Sequence, residues 1–200
     1  MERIMGCNEQ VLLAIAETAD LAKWKSEMEA KGCLSNPELC ARSAAIQKNL
    51  EFVGPAYDGS GYTEDEIMGW GGSSNASQGS DDDRSSHTIR LVSNIFRATG
   101  KLYLHTVLSN CNPNVREIKD AVKETVAAFK WLQPSDVDKS LVFPIALAGC
   151  LTDEPEYRVY LSERLRALGK RGEAVGNTKR YVEHLLRHSI LLTRPHNTTS

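Results

Sequence analysis

From Asn8 to Lys31 apolar residues recur at helical spacing, with Asn8 placed as N-cap and Gly32 at the C′ position. Leu12, Ile15, Ala16, Ala19 and Ala22 fall on one side, and Leu13, Leu21, Trp24 and Met28 on another, predicting a helix packed between neighbours. Asn36-Pro37-Glu38 reads as cap, N1 proline and first-turn acid of a second helix, through about Glu51, with Leu39, Ala45, Ile46 and Leu50 inward. Gly54-Pro55 stops it. The pattern returns after Ser86 with Ile89, Val92, Ile95, Phe96, Leu102, Tyr103 and Val107, and Asn112-Pro113 is placed to start the next helix. That helix is the clearest amphipath: Val115, Ile118, Val122, Val126, Phe129 and Leu132 at three- and four-residue steps, with charges between them. Leu141 to Leu151 is apolar all round and carries Pro144, harmless only in a first turn, so a buried central helix is predicted there. Tyr157, Leu161, Leu165 and Leu168 mark a further helix ended by Gly169, and Val182, Leu185, Leu186 and Ile190 a last one. No alternating strand pattern interrupts them. The predicted fold class is all-α: about seven helices packed in a single helical domain over residues 1–200, with one long disordered loop.

That loop is residues 54–86. Its seven glycines, serine tract and Asp81-Asp82-Asp83 offer too little apolar surface to offset the entropy of ordering the backbone. Between Tyr57 and Asp83 lie seven acids and no base, interspersed with Tyr62, Ile67, Met68 and Trp70. Acidic-hydrophobic mixing of this kind resembles activation segments, which makes Trp70 and Met68 candidate partner-contacting residues.

Composition narrows the function classes. Hydrophobic residues at 41% and charged residues at 25% are ordinary for a folded globular chain. Lys plus Arg number 24 against 26 Asp plus Glu, a net charge of −2, so the field that neutralises phosphates is absent and direct DNA binding by this chain is not expected. The longest uncharged apolar run, Leu141 to Leu151, is shorter than the roughly 18 residues that cross a bilayer, so no membrane is expected as partner. MERIMGCNEQ lacks the basic-then-apolar pattern of a secretory leader, and five scattered cysteines read as reduced thiols; both point to an intracellular chain.

Local motifs for chemistry are thin. Cys33 and Cys40 have a spacing found in zinc clusters but no second pair, and His184 with His188 lack the following glutamate of a zinc-peptidase helix. Gly69-Trp70-Gly71-Gly72 lacks the Lys-Ser/Thr ending of a phosphate loop, no GxSxG elbow occurs, and the two glycosylation sequons are taken as incidental. Arg164, Arg166, Lys170, Arg171, Lys179, Arg180 and Arg187 form the one basic concentration, most simply a solvated helix face. The expectation is therefore no catalytic residue, no resident cofactor and no metal in this chain.

The ordered phrases say more. MGCNEQVLLAIAETADLAKWK, LCARSAAIQKNL, IFRATGKLYLHTVLS, VREIKDAVKETVAAF and SLVFPIALAGCLTDEPEYRVYLSERLRALG, followed by GNTKRYVEHLL, resemble the helical regulatory domain of fungal zinc-cluster transcription factors. The resemblance covers most of residues 5–187, carried best by Phe143-Pro144, Ala148-Gly149-Cys150 and Leu102-Tyr103-Leu104-His105. It implies a nuclear regulatory domain whose partners are other proteins or the remainder of its factor, in some members under a small-molecule effector. Zinc would then belong only to a DNA-binding cluster that this sequence does not contain, and the chain would be the C-terminal part of such a domain. An effector would enter an apolar pocket beside the buried helix, with Tyr103, His105 and Cys150 as candidate lining residues, each also explicable as core. The alternative is a freestanding helical binding protein that keeps the fold without DNA binding.

Overall fold

The structure, a computed structural model, describes residues 7–51 and 81–169. Among the described residues it is built from six α-helices and one 3-10 helix: α1 (Glu9–Ala30), α2 (Asn36–Glu51), α3 (Asp81–Leu108), α4 (Arg116–Lys130), the 3-10 turn Asp136–Leu141, α5 (Val142–Leu151) and α6 (Pro155–Gly169). The helix expected around Val182 to Ile190 and residues 54–80 of the expected loop lie outside the described residues. Residues 81–86, placed in that loop by composition, instead begin α3.

Local chemistry sets the ends. Asn8 Oδ1 accepts from the Gln10 N–H at 2.8 Å, capping α1 as expected. At the other end Gly32 (φ +67°) donates to Glu29 O and Cys33 to Met28 O, a Schellman closure that needs a residue free to enter the left-handed region. α2 is capped one residue earlier than its sequence suggests. Ser35 O accepts from Leu39 N–H and Ser35 Oγ from Glu38 N–H, so Asn36 lies inside the helix. Pro113 does not open α4 as expected. Asn110 and Cys111 are both left-handed (φ 53° and 60°) and Asn112 Oδ1 accepts from Asn114 N–H, so Pro113 sits in a turn and the helix starts at Arg116. Pro144 falls in the first turn of α5, where its missing N–H costs no helical bond.

α3 is the central element, packed by α1 and α2 on one side and by α4 and α5 on the other, with α6 laid against α5. The larger core joins Val92, Ile95, Phe96 and Leu102 of α3 to Ile118, Val122 and Phe129 of α4, Ile145 and Leu151 of α5, and Leu161 and Leu168 of α6. A smaller core holds Ala14 and Leu21 of α1, Ile46 and Leu50 of α2, and Leu104 of α3. Each fully buried Leu, Ile or Phe contributes on the order of 1.5–3 kcal/mol. Side chains of α1 and α2 pack directly on α3 at Gly100, where an added Cβ would lie 2.7 Å from Leu50 Cδ2 and 3.4 Å from Ile15 Cγ1.

α1 packs against both α2 and α3 as expected, with Leu12 and Ile15 on the larger core and Leu21 and Trp24 on the smaller, but some of its stripe positions face outward. Its buried row is Val11, Ala14, Thr18, Leu21 and Lys25, whereas Leu13 stays 58% exposed and Ala16 and Ala19 face solvent. Ala45 of α2 is likewise exposed, leaving Ile46 and Leu50 as that helix's buried anchors.

Candidate functional site

Among the described residues four charged side chains are buried, Lys25, Arg97, Asp138 and Arg164, and Lys25 and Arg164 each join elements distant in sequence. Arg164, 4% exposed on α6, makes a two-pronged contact with Asp138 of the 3-10 turn: Nε to Oδ2 at 3.0 Å and Nη2 to Oδ1 at 2.8 Å. Its Nη1 donates to Phe129 O at 2.9 Å and to Tyr160 Oη at 3.0 Å, and the guanidinium lies 5.0 Å from the centre of the Phe129 ring. Burial pulls the guanidinium pKa down, but the hydrogen bonds and charge of Asp138 outweigh it, so the net shift is upward. One side chain thereby joins the end of α4, the 3-10 turn and α6. Arg164 was expected among surface bases. Instead it is buried, because on α6 it continues the core-facing row of Tyr157, Leu161 and Leu168.

Lys25 does the same on the other side. It is 5% exposed, and its Nζ donates to Val107 O at 2.7 Å, bonds Asn110 Oδ1 and lies 3.7 Å from Glu29. A cation at the end of α3 meets the carbonyls that the helix leaves unpaired, and it complements the negative end of the helix dipole. Cys111 follows at once. Burial raises its thiol pKa, with the Lys25 charge acting in the opposite sense.

The candidate pocket residues lie on these same elements. Tyr103 packs edge-on to Phe143 of α5, ring centres 5.9 Å apart at 86°, and burial followed by nearby Cys111 raises its phenol pKa. His105 stands two positions further along α3, about 200° around the axis, and its carbonyl accepts from Ser109 N–H and Oγ. Cys150 is half-buried near the end of α5, its thiol pushed up to about 11 by burial. Among the described residues no hydrogen bond joins the three side chains. Met68, Trp70, His184, His188 and the bases from Lys170 to Arg187 lie outside the described residues.

Cys33 and Cys40 are exposed thiols, and among the described residues no three His, Cys, Asp or Glu side chains gather as a metal ion requires. No buried side-chain nitrogen or oxygen there lacks a hydrogen-bond partner. No described helix is long and apolar enough to cross a membrane. The arrangement is thus one of packed faces tied by internal polar contacts, with Leu13, Trp131, Phe143 and Val159 the large apolar side chains exposed among the described residues.

Comparison with known proteins finds a family and several transcription regulators to which the chain is similar. The family model described as "Fungal specific transcription factor domain" matches residues 1–186. The chain is 31% identical over 156 residues to the trichothecene biosynthesis transcription regulator TRI10 of Trichoderma arundinaceum, covering 78% of this chain and 31% of that protein. It is 27% identical to the regulator of the same name from Fusarium sporotrichioides, covering 77% and 31%. To the ustiloxin B cluster transcription factor ustR of Aspergillus flavus it is 31% identical, covering 74% and 24%. The chain therefore spans less than a third of the length of these relatives. No solved structure matches.

Proposed function

This chain belongs to the fungal-specific transcription factor domain family, and on that premise we propose that it is the regulatory and interaction part of a nuclear factor controlling transcription by RNA polymerase II. It works by presenting packed helical surfaces to a protein partner or to the remainder of its factor, not by turning over a substrate. The observation that carries this reading is the family match over nearly the whole chain, from residue 1 to 186. The relatives being named as regulators of biosynthesis and of a gene cluster supports a similar class of target. The net charge of −2 supports leaving DNA contact to a zinc cluster elsewhere in the factor.

Within this reading, Met68 and Trp70 contact a coactivator, and Tyr103, His105 and Cys150 remain the proposed neighbourhood for a small-molecule effector. The test is to fuse the 200-residue chain to an unrelated DNA-binding domain and measure a reporter. The expected result is a several-fold change in output relative to the DNA-binding domain alone, reduced when Trp70 and Met68 are both replaced by alanine. Output indistinguishable from the DNA-binding domain alone, with the fusion folded and nuclear, overturns the reading.

A further inference from the structure

Acid-directed protein kinases take a serine or threonine in extended backbone whose carboxylates, one and three residues further on, pair with a basic substrate groove. Among the described residues Ser26, Ser35 and Ser135 have an acid three positions on: Glu29, Glu38 and Asp138. Ser26 and Ser135 also have one directly after, Glu27 and Asp136. The fold separates the three. Ser26 lies inside α1, its backbone held in the helix, and Ser35 Oγ is used in capping α2, accepting from the Glu38 N–H at 3.4 Å. Ser135 is extended, with φ −149° and ψ −175°, and its hydroxyl makes no capping bond to the turn that follows. It closes the non-helical stretch from Trp131, in which Pro134 lacks an N–H and disfavours helix for the residue before it. Asp136 comes next, its side chain 81% exposed and paired only with the exposed Lys139.

The second carboxylate, Asp138, is the one that clasps Arg164 in the core. Ser135 O accepts from the Asp138 N–H at 3.1 Å, so the hydroxyl and the clasping carboxylate stand at the two ends of one 3-10 turn. A kinase that pairs with the third-position acid must take Asp138 from Arg164, and its substrate is therefore the chain with this turn open. Six residues of 3-10 helix, with poorer hydrogen-bond geometry than an α-helix, form an element suited to such local opening. We propose that Ser135 is a phosphoryl-acceptor site for an acid-directed serine/threonine kinase, and that its phosphorylation weakens the Asp138–Arg164 clasp. Ser135 Oγ attacks the γ-phosphorus of ATP; the Oγ–P bond forms as the bond to the ADP oxygen breaks, and the hydroxyl proton passes to the kinase's base. The phosphoserine carries about −1.5 to −2 charge at neutral pH. Closing the turn brings that charge back against Asp136 and Asp138, and opening it relieves the repulsion. The modification thereby loosens the tie between the end of α4, the turn and α6, whatever the domain regulates.

The test incubates the purified 200-residue chain with casein kinase II and ATP and follows each site by tandem mass spectrometry of its peptides. Resolution by peptide separates Ser135 from Thr63 and Ser80, acid-flanked hydroxyls outside the described residues. Ser135 is expected to be modified about tenfold or more faster than Ser26, whose helix would have to unwind. Asp136→Asn is expected to slow Ser135 several-fold while leaving the circular dichroism melt in place, since an exposed ion pair contributes little to stability. Hydrogen exchange then reads the clasp: kinase-treated wild type is expected to exchange faster than untreated over the 3-10 turn and α6, and kinase-treated Ser135→Ala is not. Absence of phosphate on Ser135 in the folded chain, a rate at Ser26 equal to that at Ser135, or a rate untouched by Asp136→Asn overturns the acceptor assignment. Exchange over α6 that is the same with and without phosphate on Ser135 overturns the effect on the clasp.

Discussion

At the scale of the residue, the instructive positions are charges standing on apolar rows. Lys25 continues Val11, Ala14, Thr18 and Leu21 at alternating three- and four-residue steps, and Arg164 falls between Leu161 and Leu168 in the same way. A cation in register with core residues must find a partner inside or leave the row, and that spacing was readable in the sequence. The partners were not. Asp138 and the Val107 carbonyl belong to distant segments, and only the tertiary fold brings them within reach. Asp138→Asn leaves the Arg164 guanidinium buried without a counter-charge, so an unfolding free-energy loss of about 3–5 kcal/mol is expected from urea denaturation. Replacing both partners by apolar residues of similar volume is expected to recover most of that loss. At the surface, Lys119 Nζ lies 2.8 Å from Asp153 Oδ2. This bond holds the Asp153 carboxyl below its ordinary value and the Lys119 ammonium above its own. The lowered carboxylate contributes stability that is present above its unfolded pKa and lost as pH falls through the folded one. The raised ammonium contributes below its unfolded pKa and loses that contribution as pH rises through the folded one. An NMR titration should place the Asp153 midpoint below 3.8 and the Lys119 midpoint above 10.5, and Asp153→Asn should return Lys119 toward its ordinary value.

At the scale of the element, periodicity located the helices but misjudged some faces. Rows of Val, Ile and Phe on α4 and Leu on α6 were legible because large apolar groups have one favourable destination. Alanine misled. It fits equally well in a core or on a solvated helix, so Ala16, Ala19 and Ala45 read as buried and are exposed. The two described mid-helix glycines differ. At Gly149 a Cβ would sit 4.0 Å from Leu161, an ordinary contact. The close approach is at Gly100. Gly149→Ala is therefore expected to raise the unfolding free energy by about 0.5–1 kcal/mol through helix propensity. Gly100→Leu is expected to lower it by about 1–3 kcal/mol by displacing Leu50 and Ile15. Thermal melts of the two variants should move in opposite directions.

At the scale of the whole molecule, the all-α architecture was legible because each helix carries its own periodicity, whereas the paired cores depend on how α3 divides its neighbours. The division gives the five thiols different exposures. Cys33 and Cys40 stand in solvent, Cys111 and Cys150 are half-buried with raised pKa, and Cys7 is buried. Since the thiolate is the reactive form, alkylation at neutral pH followed by mass spectrometry should label Cys33 and Cys40 first. Cys150, half-buried with its thiol pKa raised to about 11, should label more slowly, and Cys7 only as the chain unfolds. Labelling of Cys150 as fast as Cys33 and Cys40 would contradict the packing of α5 described above.

The bonds from α1 to α3 also bear on the birth of the chain. Asn8 N–H bonds Ser93 Oγ, and Lys25 bonds Asn110, each across 85 positions of sequence. The ribosome delivers α1 and α2 long before the face that receives them. At roughly 5–20 residues per second, several seconds separate the appearance of Glu51 from that of Leu108. Throughout that interval Val11, Ala14, Leu21, Ile46 and Leu50 have no α3 to cover them. The nascent hairpin is thus a natural client for chaperones, and synonymous codons that slow translation after residue 51 lengthen its exposure.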